Sequence, residues 1–289
     1  GWKKATRQTL GICRTRSRTR REAEASLPMP VANPFASFDL WAGLFGGLAL
    51  FLFGLDVMTQ ALKSAAGDYM KDALGRLTRN RFVGIGMGAF VTAVIQSSSV
   101  TTVILVGFIS AGLLSMSQSV AVIMGANIGS TVTAQILAFD VERLALPMLA
   151  VGFAVSFLAR RSDWRQFGLV MLGLGMVFYG MSVMSSAMSP LRVHQPFIGF
   201  MAELHQPALA MLIGAAFTAV VQSSAVTIGI LIVLAAQGLL SLEPAIAITL
   251  GANIGTCITA ALASIGKPRE AVRASVVHTL FNVAGVLLW

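Results

Sequence analysis

From Val83 to Phe139 the sequence contains no Asp, Glu, Lys, Arg or His. A stretch of that length without charge has no face to offer to water, so it belongs in a lipid bilayer. Its polarity lies in amides and hydroxyls, chiefly Gln96-Ser97-Ser98-Ser99 in the run TAVIQSSSVT. Polar groups are expensive in hydrocarbon, and such a cluster points to a site. The run recurs as TAVVQSSAVT, where Gln222-Ser223-Ser224-Ala225 stands 126 residues after the first quartet.

The same offset relates other positions. Gly125-Ala126-Asn127-Ile128-Gly129-Ser130 returns as Gly251-Ala252-Asn253-Ile254-Gly255-Thr256. Gly47, Gly54 and Met58 align with Gly173, Gly180 and Met184, Gly112-Leu113-Leu114-Ser115 with Gly238-Leu239-Leu240-Ser241, and Arg143 with Arg269. A constant register without insertion is duplication, giving two units at residues 38–163 and 164–289.

Overall, 56% of residues are hydrophobic and 11% charged, a balance that cannot cover a globule with polar surface. Apolar runs fall at about 40–58, 82–111, 117–139, 144–159, 166–188, 207–237, 244–265 and 271–289, as membrane helices require. The run around Gln96 is interrupted at its centre, and each arm reaches only roughly 20 Å at 1.5 Å per residue. That predicts a re-entrant helical hairpin, with unwound backbone at its tip buried in protein. The Gly-bracketed Asn127 and Asn253 predict helices that break in mid-membrane. Each unit then has three crossings, an odd number that turns the second copy upside down. The expected fold is an all-α integral membrane protein with two inverted-topology repeats, each holding a re-entrant hairpin and a broken transmembrane helix.

Charge placement agrees with that topology. Lys63, Lys71, Arg76, Arg79, Arg81, Arg160, Arg161, Arg165, Lys267, Arg269 and Arg273 fall on one side, and Arg143 and Arg192 on the other. The bias puts the first hairpin's mouth in the cytoplasm and the second's outside. Residues 1–28 carry eight Lys or Arg against Glu22 and Glu24, on the side where the rule forbids them. We read residues 1–37 as a disordered or non-native leader, with Met29 as the natural start; a nucleic-acid- or lipid-binding tail is the alternative.

A helix restarting just after each tip aims free N–H groups and a partial positive charge at it, and serine hydroxyls add neutral donors, so an anion is the natural ligand. Partial charges alone cannot neutralise a buried dianion, whereas amide, hydroxyl and carbonyl oxygens can hold an alkali ion beside it. This favours cation-coupled anion transport over a channel lined by basic rings. The identity of the anion does not follow from it.

Paired Q-S-S-S hairpins, each followed by G-A-N-I-G-[ST], resemble the sodium-dependent phosphate cotransporter family, meaning the type II Na/Pi cotransporters and their bacterial relatives, over about residues 40–289. The resemblance implies sodium-coupled symport of inorganic phosphate by alternating access, in a bacterial inner membrane. Phosphate would be bound by Ser97, Ser98, Ser99, Ser223, Ser224, Thr101 and Thr227. Sodium would be held by Gln96, Gln222, Asn127, Asn253, Thr131, Thr133 and Thr259. No cofactor, no transition metal and no enzymatic activity are expected; a PhoU-like region or protein and a second copy of the chain are the expected partners. Ala225 replaces the last serine of the second quartet, and Cys257 stands where the first copy has Thr131. Transport of another anion, phosphate export and a non-transporting phosphate-sensing subunit are the alternatives. The apolar run that holds Trp289 reads as truncated.

Blander readings stand beside these. Ser and Thr in membrane helices commonly bond back to the preceding turn, which competes with site lining for Thr101, Thr227, Thr131, Thr133 and Thr259. Asn127 and Asn253 could be helix-packing amides. Gly84-Ile85-Gly86-Met87-Gly88 follows no predicted strand and reads as close helix packing rather than a nucleotide loop. Asp56 ends the first span. His278 and Asn282 on the last helix read as a structural hydrogen bond.

Overall fold

The computed structural model describes residues 34–75, 80–139, 142–204 and 206–288. The leader read from residues 1–28 lies outside them. Pro34–Ala36 forms a 3-10 turn. From Phe38 onward the chain is helical, and no strand is present among the described residues.

Twelve α-helices follow in order: α1 Phe38–Gly75, α2 Arg81–Ile95, α3 Ser98–Ser110, α4 Met116–Ala138, α5 Glu142–Leu158, α6 Ser162–Met188, α7 Gln195–Glu203, α8 Pro207–Val221, α9 Ser224–Ala236, α10 Leu242–Gly255, α11 Cys257–Ser264 and α12 Arg269–Leu288. Five segments are long and apolar enough to cross a membrane: Phe38–Ala66, Met116–Ala138, Ser162–Val193, Leu242–Ser264 and Arg269–Leu288. The arms α2, α3, α8 and α9 have 13 to 15 residues, about 20 Å of helix against a hydrocarbon core of about 30 Å. Large apolar side chains such as Phe157, Val220 and Leu287 are exposed, as a lipid-facing surface requires.

Helix packing repeats at the 126-residue offset. In the first half α2 lies against α4, and in the second α8 lies against α10. A methyl group at Gly88 or Gly125 would overlap the carbonyl oxygens of Val122 and Ile85; at Gly214 or Gly251 it would overlap those of Ile248 and Met211. Such backbone-to-backbone approach is what glycine permits in lipid. Leu105, Leu114 and Val122 form one core with Ala271 and Ala274, and their counterparts Leu231, Leu240 and Ile248 form another with Ala210 and Ala247. Gly112 and Gly238, at φ +72 and +67, close α3 and α9 with the left-handed residue that such helix ends demand.

α1 and α6 cross antiparallel through reciprocal contacts. A methyl at Gly47 would fall 2.7 Å from the Gly180 carbonyl oxygen, and one at Gly180 2.6 Å from that of Gly47; Gly54 and Gly173 meet likewise at 2.6 Å each. Position 47 corresponds to 173 and position 54 to 180, so each residue touches the counterpart of the other. Phe51, Val177, Phe178 and Met184 bury themselves around this crossing.

Two expectations need correction. The first G-A-N-I-G segment does not break its helix: α4 runs without interruption through Asn127. Gly125 and Gly129 are helical there, spent on close approach to the Ile85 and Ala89 carbonyls of α2 rather than on unwinding. In the second copy only Thr256 interrupts the helix, at φ −65 and ψ −21 with its N–H still bonded to the Ala252 carbonyl at 3.1 Å. The helix that begins in the apolar run read at 40–58 also does not end with it, because α1 continues to Gly75.

Candidate functional site

Each Q-S-S segment is a two-residue turn between short helices. Gln96 and Gln222 have left-handed backbone, φ 59 and 58, the two positive values among non-glycine residues described. Their N–H groups close the preceding helices on the Thr92 and Thr218 carbonyls at 2.7 and 2.6 Å. Left-handed conformation costs a residue with a Cβ on the order of 1 kcal/mol or more, so surrounding structure must hold it. Ser97 and Ser223 are extended and cap the next helix, their hydroxyls accepting from the N–H groups of Val100 and Val226 at 3.3 and 3.5 Å. The remaining N–H groups in the first turns of α3 and α9 have no partner inside those helices.

The same pair of threonines clamps each turn. Thr92 and Thr101 share a buried hydroxyl hydrogen bond of 2.9 Å, and Thr218 and Thr227 share one of 2.7 Å. Thr101 and Thr227 also donate to the Ser97 and Ser223 carbonyls at 3.1 and 3.3 Å. These two threonines thus shape the turns and do not line the cavity described next.

Both turns open onto one cavity. It is lined by Gln96, Ser97, Ser98 and Ser99 from the first turn and Gln222, Ser223, Ser224 and Ala225 from the second, with Ser130, Thr133, Ala134, Ile228 and Thr256 completing the wall. No charged side chain lines it. Its volume is about 20 Å³, room for one or two waters at the ~10–15 Å³ that each needs. A phosphate would require the turns to part.

The two sides differ. The Gln96 side-chain amide donates to the Ala93 carbonyl and accepts from Thr133 at 2.6 Å, and Ser99 donates to the Thr256 carbonyl at 3.3 Å. Ser98 and Ser99 are buried, whereas Gln222 is exposed and Ser223, Ser224 and Ala225 are half-buried. Thr259, the counterpart of Thr133, has its hydroxyl buried with no partner.

Four of the residues expected to hold sodium do not line the cavity: Thr259, and with it Asn127, Asn253 and Thr131. Asn127 reaches Asn282 on α12 at 2.9 Å, Asn253 has an exposed side chain, and Thr131 is exposed and bonds back to the Ile128 carbonyl at 2.7 Å. Ser130 and Thr256, unassigned from sequence, are in the wall instead. Their signal was present: they are the hydroxyl positions closing both copies of G-A-N-I-G-[ST].

The structure is thus an all-helical membrane protein in which two neutral, serine-rich turns share one cavity. The chain belongs to the Na+/Pi-cotransporter family, whose model matches residues 50–186 and 197–289, a family of transporters and not of enzymes. It is 34% identical over 242 residues to the uncharacterized protein YqeW of Bacillus subtilis (strain 168), which covers 83% of this chain and 78% of that one. It is 27% identical over 247 residues to YjbB of Escherichia coli (strain K12), provisionally named an inorganic phosphate export protein, covering 85% of this chain and 45% of that one. Sodium-dependent phosphate transport protein 2A of Rattus norvegicus is 25% identical over 382 residues, with 85% and 60% covered. The chain thus spans less than two thirds of the length of these last two relatives. No solved structure matches it.

Proposed function

We propose that the chain is a sodium-coupled phosphate symporter working by alternating access, with residues 38–163 and 164–289 as inverted repeats in a bacterial inner membrane. One observation carries the reading: both Q-S-S turns line a single cavity that holds no charged side chain. The reciprocal glycine contacts between antiparallel α1 and α6 support the inverted arrangement. The short arms on either side of each turn support re-entrant hairpins, which enter and leave on one face.

In this reading Ser97, Ser98, Ser99, Ser223 and Ser224, with the N–H groups opening α3 and α9, bind the phosphate oxygens. Two helix N-termini supply partial charges only, so sodium ions must offset a dianion removed from water. Gln96, Thr133, Ser130, Gln222 and the Thr256 carbonyl offer the hard oxygens such ions take. Binding draws the second turn inward, and release on the other side requires the first to loosen.

Labelled phosphate should enter proteoliposomes under an inward sodium gradient and stay out when potassium replaces sodium. Uptake no greater than in empty vesicles would sink the cotransport reading; uptake unchanged by Gln96→Ala with Gln222→Ala would sink the site. A second reading, export, is favoured by the provisional name of YjbB. Preloaded vesicles that release phosphate but never accumulate it would select export.

A further inference from the structure

Asn282 on α12 sits at the centre of a buried polar cluster outside the cavity. Its Oδ1 accepts from Asn127 Nδ2 of α4 at 2.9 Å. Its two N–H groups point at Cys257 Sγ of α11, 3.0 Å away, and at His278 Nε2, 3.1 Å away. One amide thereby joins both copies of the duplicated motif, since Asn127 lies inside the first and Cys257 directly follows the second. His278 is fully buried. Its Nε2 faces an amide donor, so Nε2 is the bare nitrogen and the ring hydrogen sits on Nδ1, which has no partner. His278 thus serves as an acceptor for the Asn282 amide.

The cluster continues to the cavity wall on both sides. Asn127 offers its carbonyl to Ser130 at 2.8 Å, and Ser130 lines the cavity. Cys257 adjoins Thr256, whose carbonyl takes the Ser99 hydroxyl of the first turn. The circuit has no equivalent in the other half. At the 126-residue offset Asn282 corresponds to Ser156, which bonds back to Phe153 in its own helix at 2.9 Å, and His278 corresponds to Gly152, packed against Leu172 of α6. Cys257 is thus more than a lost threonine, since its sulfur is the acceptor that completes the Asn282 amide.

We propose that Asn282, bonded to His278, is a positioning residue that holds α4 and α11 together behind the first turn and so sets the affinity of that side of the site. The affinity part rests on the transport reading; the latch itself is read independently by the Cys257 thiol. In a Cys13→Ser background, alkylation of Cys257 by N-ethylmaleimide in membranes should be slow and should accelerate about tenfold in Asn282→Leu, the loss of a buried hydrogen-bonding hub. In proteoliposomes the same change should raise half-saturating sodium and phosphate about tenfold while maximal rate stays within about twofold. Cys257→Val should share that affinity defect, and Cys257→Thr, isosteric with the valine but keeping an acceptor, should not. Unchanged alkylation in Asn282→Leu, or equal behaviour of the Val and Thr variants, overturns the proposal. If Asn282→Leu is not recovered from membranes, the isosteric pair decides. Wild-type vesicles that move no phosphate would remove the symport reading, and the alkylation rates would still decide the latch.

Discussion

Gln96 and Gln222 carry the same strained backbone, yet only Gln96 has its side chain tied down, by Ala93 and Thr133. A second difference lies across the cavity. Ser99 bonds the Thr256 carbonyl across the cavity, and its counterpart Ala225 has no hydroxyl to offer to Ser130, the counterpart of Thr256. Ala225→Ser should therefore draw the second turn inward, stabilising the protein by about 1 kcal/mol for one added hydrogen bond and slowing turnover; a melting curve in detergent and a transport rate check the pair of effects. The buried threonine pairs give a symmetric test. Thr92→Val and Thr218→Val each remove one buried hydroxyl hydrogen bond while Thr101 and Thr227 keep theirs to the Ser97 and Ser223 carbonyls, at a cost of about 1 kcal/mol, so both should lower the melting temperature to a similar extent.

At the scale of helices, glycine sorts into two kinds. Gly88 and Gly125 hold α2 against α4 backbone to backbone, while Gly86, two residues away, has nothing within 4 Å of where a methyl would stand. Gly88→Ala should cost about 1–3 kcal/mol through overpacking and lower the yield of folded protein, and Gly86→Ala should be neutral, as thermal unfolding of the two variants would reveal. The sequence announces these elements unevenly. The positions of the apolar helices follow from hydrophobic runs alone, because lipid leaves the backbone few alternatives. A glycine does not announce its purpose: G-A-N-I-G reads as a break, but in α4 the same residues serve an interhelical contact that depends on a partner 40 positions away, Ile85. Hydroxyls are similarly ambiguous. Thr101 and Thr133 look alike in sequence; one clamps a turn from behind and the other reaches Gln96 at the cavity wall, a distinction set by helix rotation rather than residue type. Ser130 and Thr256 stood in plain view at the end of the duplicated motif.

At the scale of the whole molecule, the two halves share a plan and differ in hold. The last helix of the first half, α5, packs on α6, whereas α12 packs on α3, α4, α10 and α11, so only one half is braced from behind. The charge bias of the loops predicts orientation as well: a cysteine introduced at Lys267 should react with impermeant reagents only from the cytoplasmic face, whereas one at Arg192 should react only from outside. The crossing of α1 and α6 carries a consequence for ancestry. Residues that touch one another's counterparts form the kind of surface through which a protein pairs with its own copy. On the proposed inverted arrangement, a single-unit forebear would have inserted in both orientations and met itself head to tail at these glycines. Two pieces cut between Ala159 and Arg161 and expressed together should then find each other in the membrane and regain sodium-driven phosphate uptake. The chain's continuity would be a convenience of inheritance that its fold can do without.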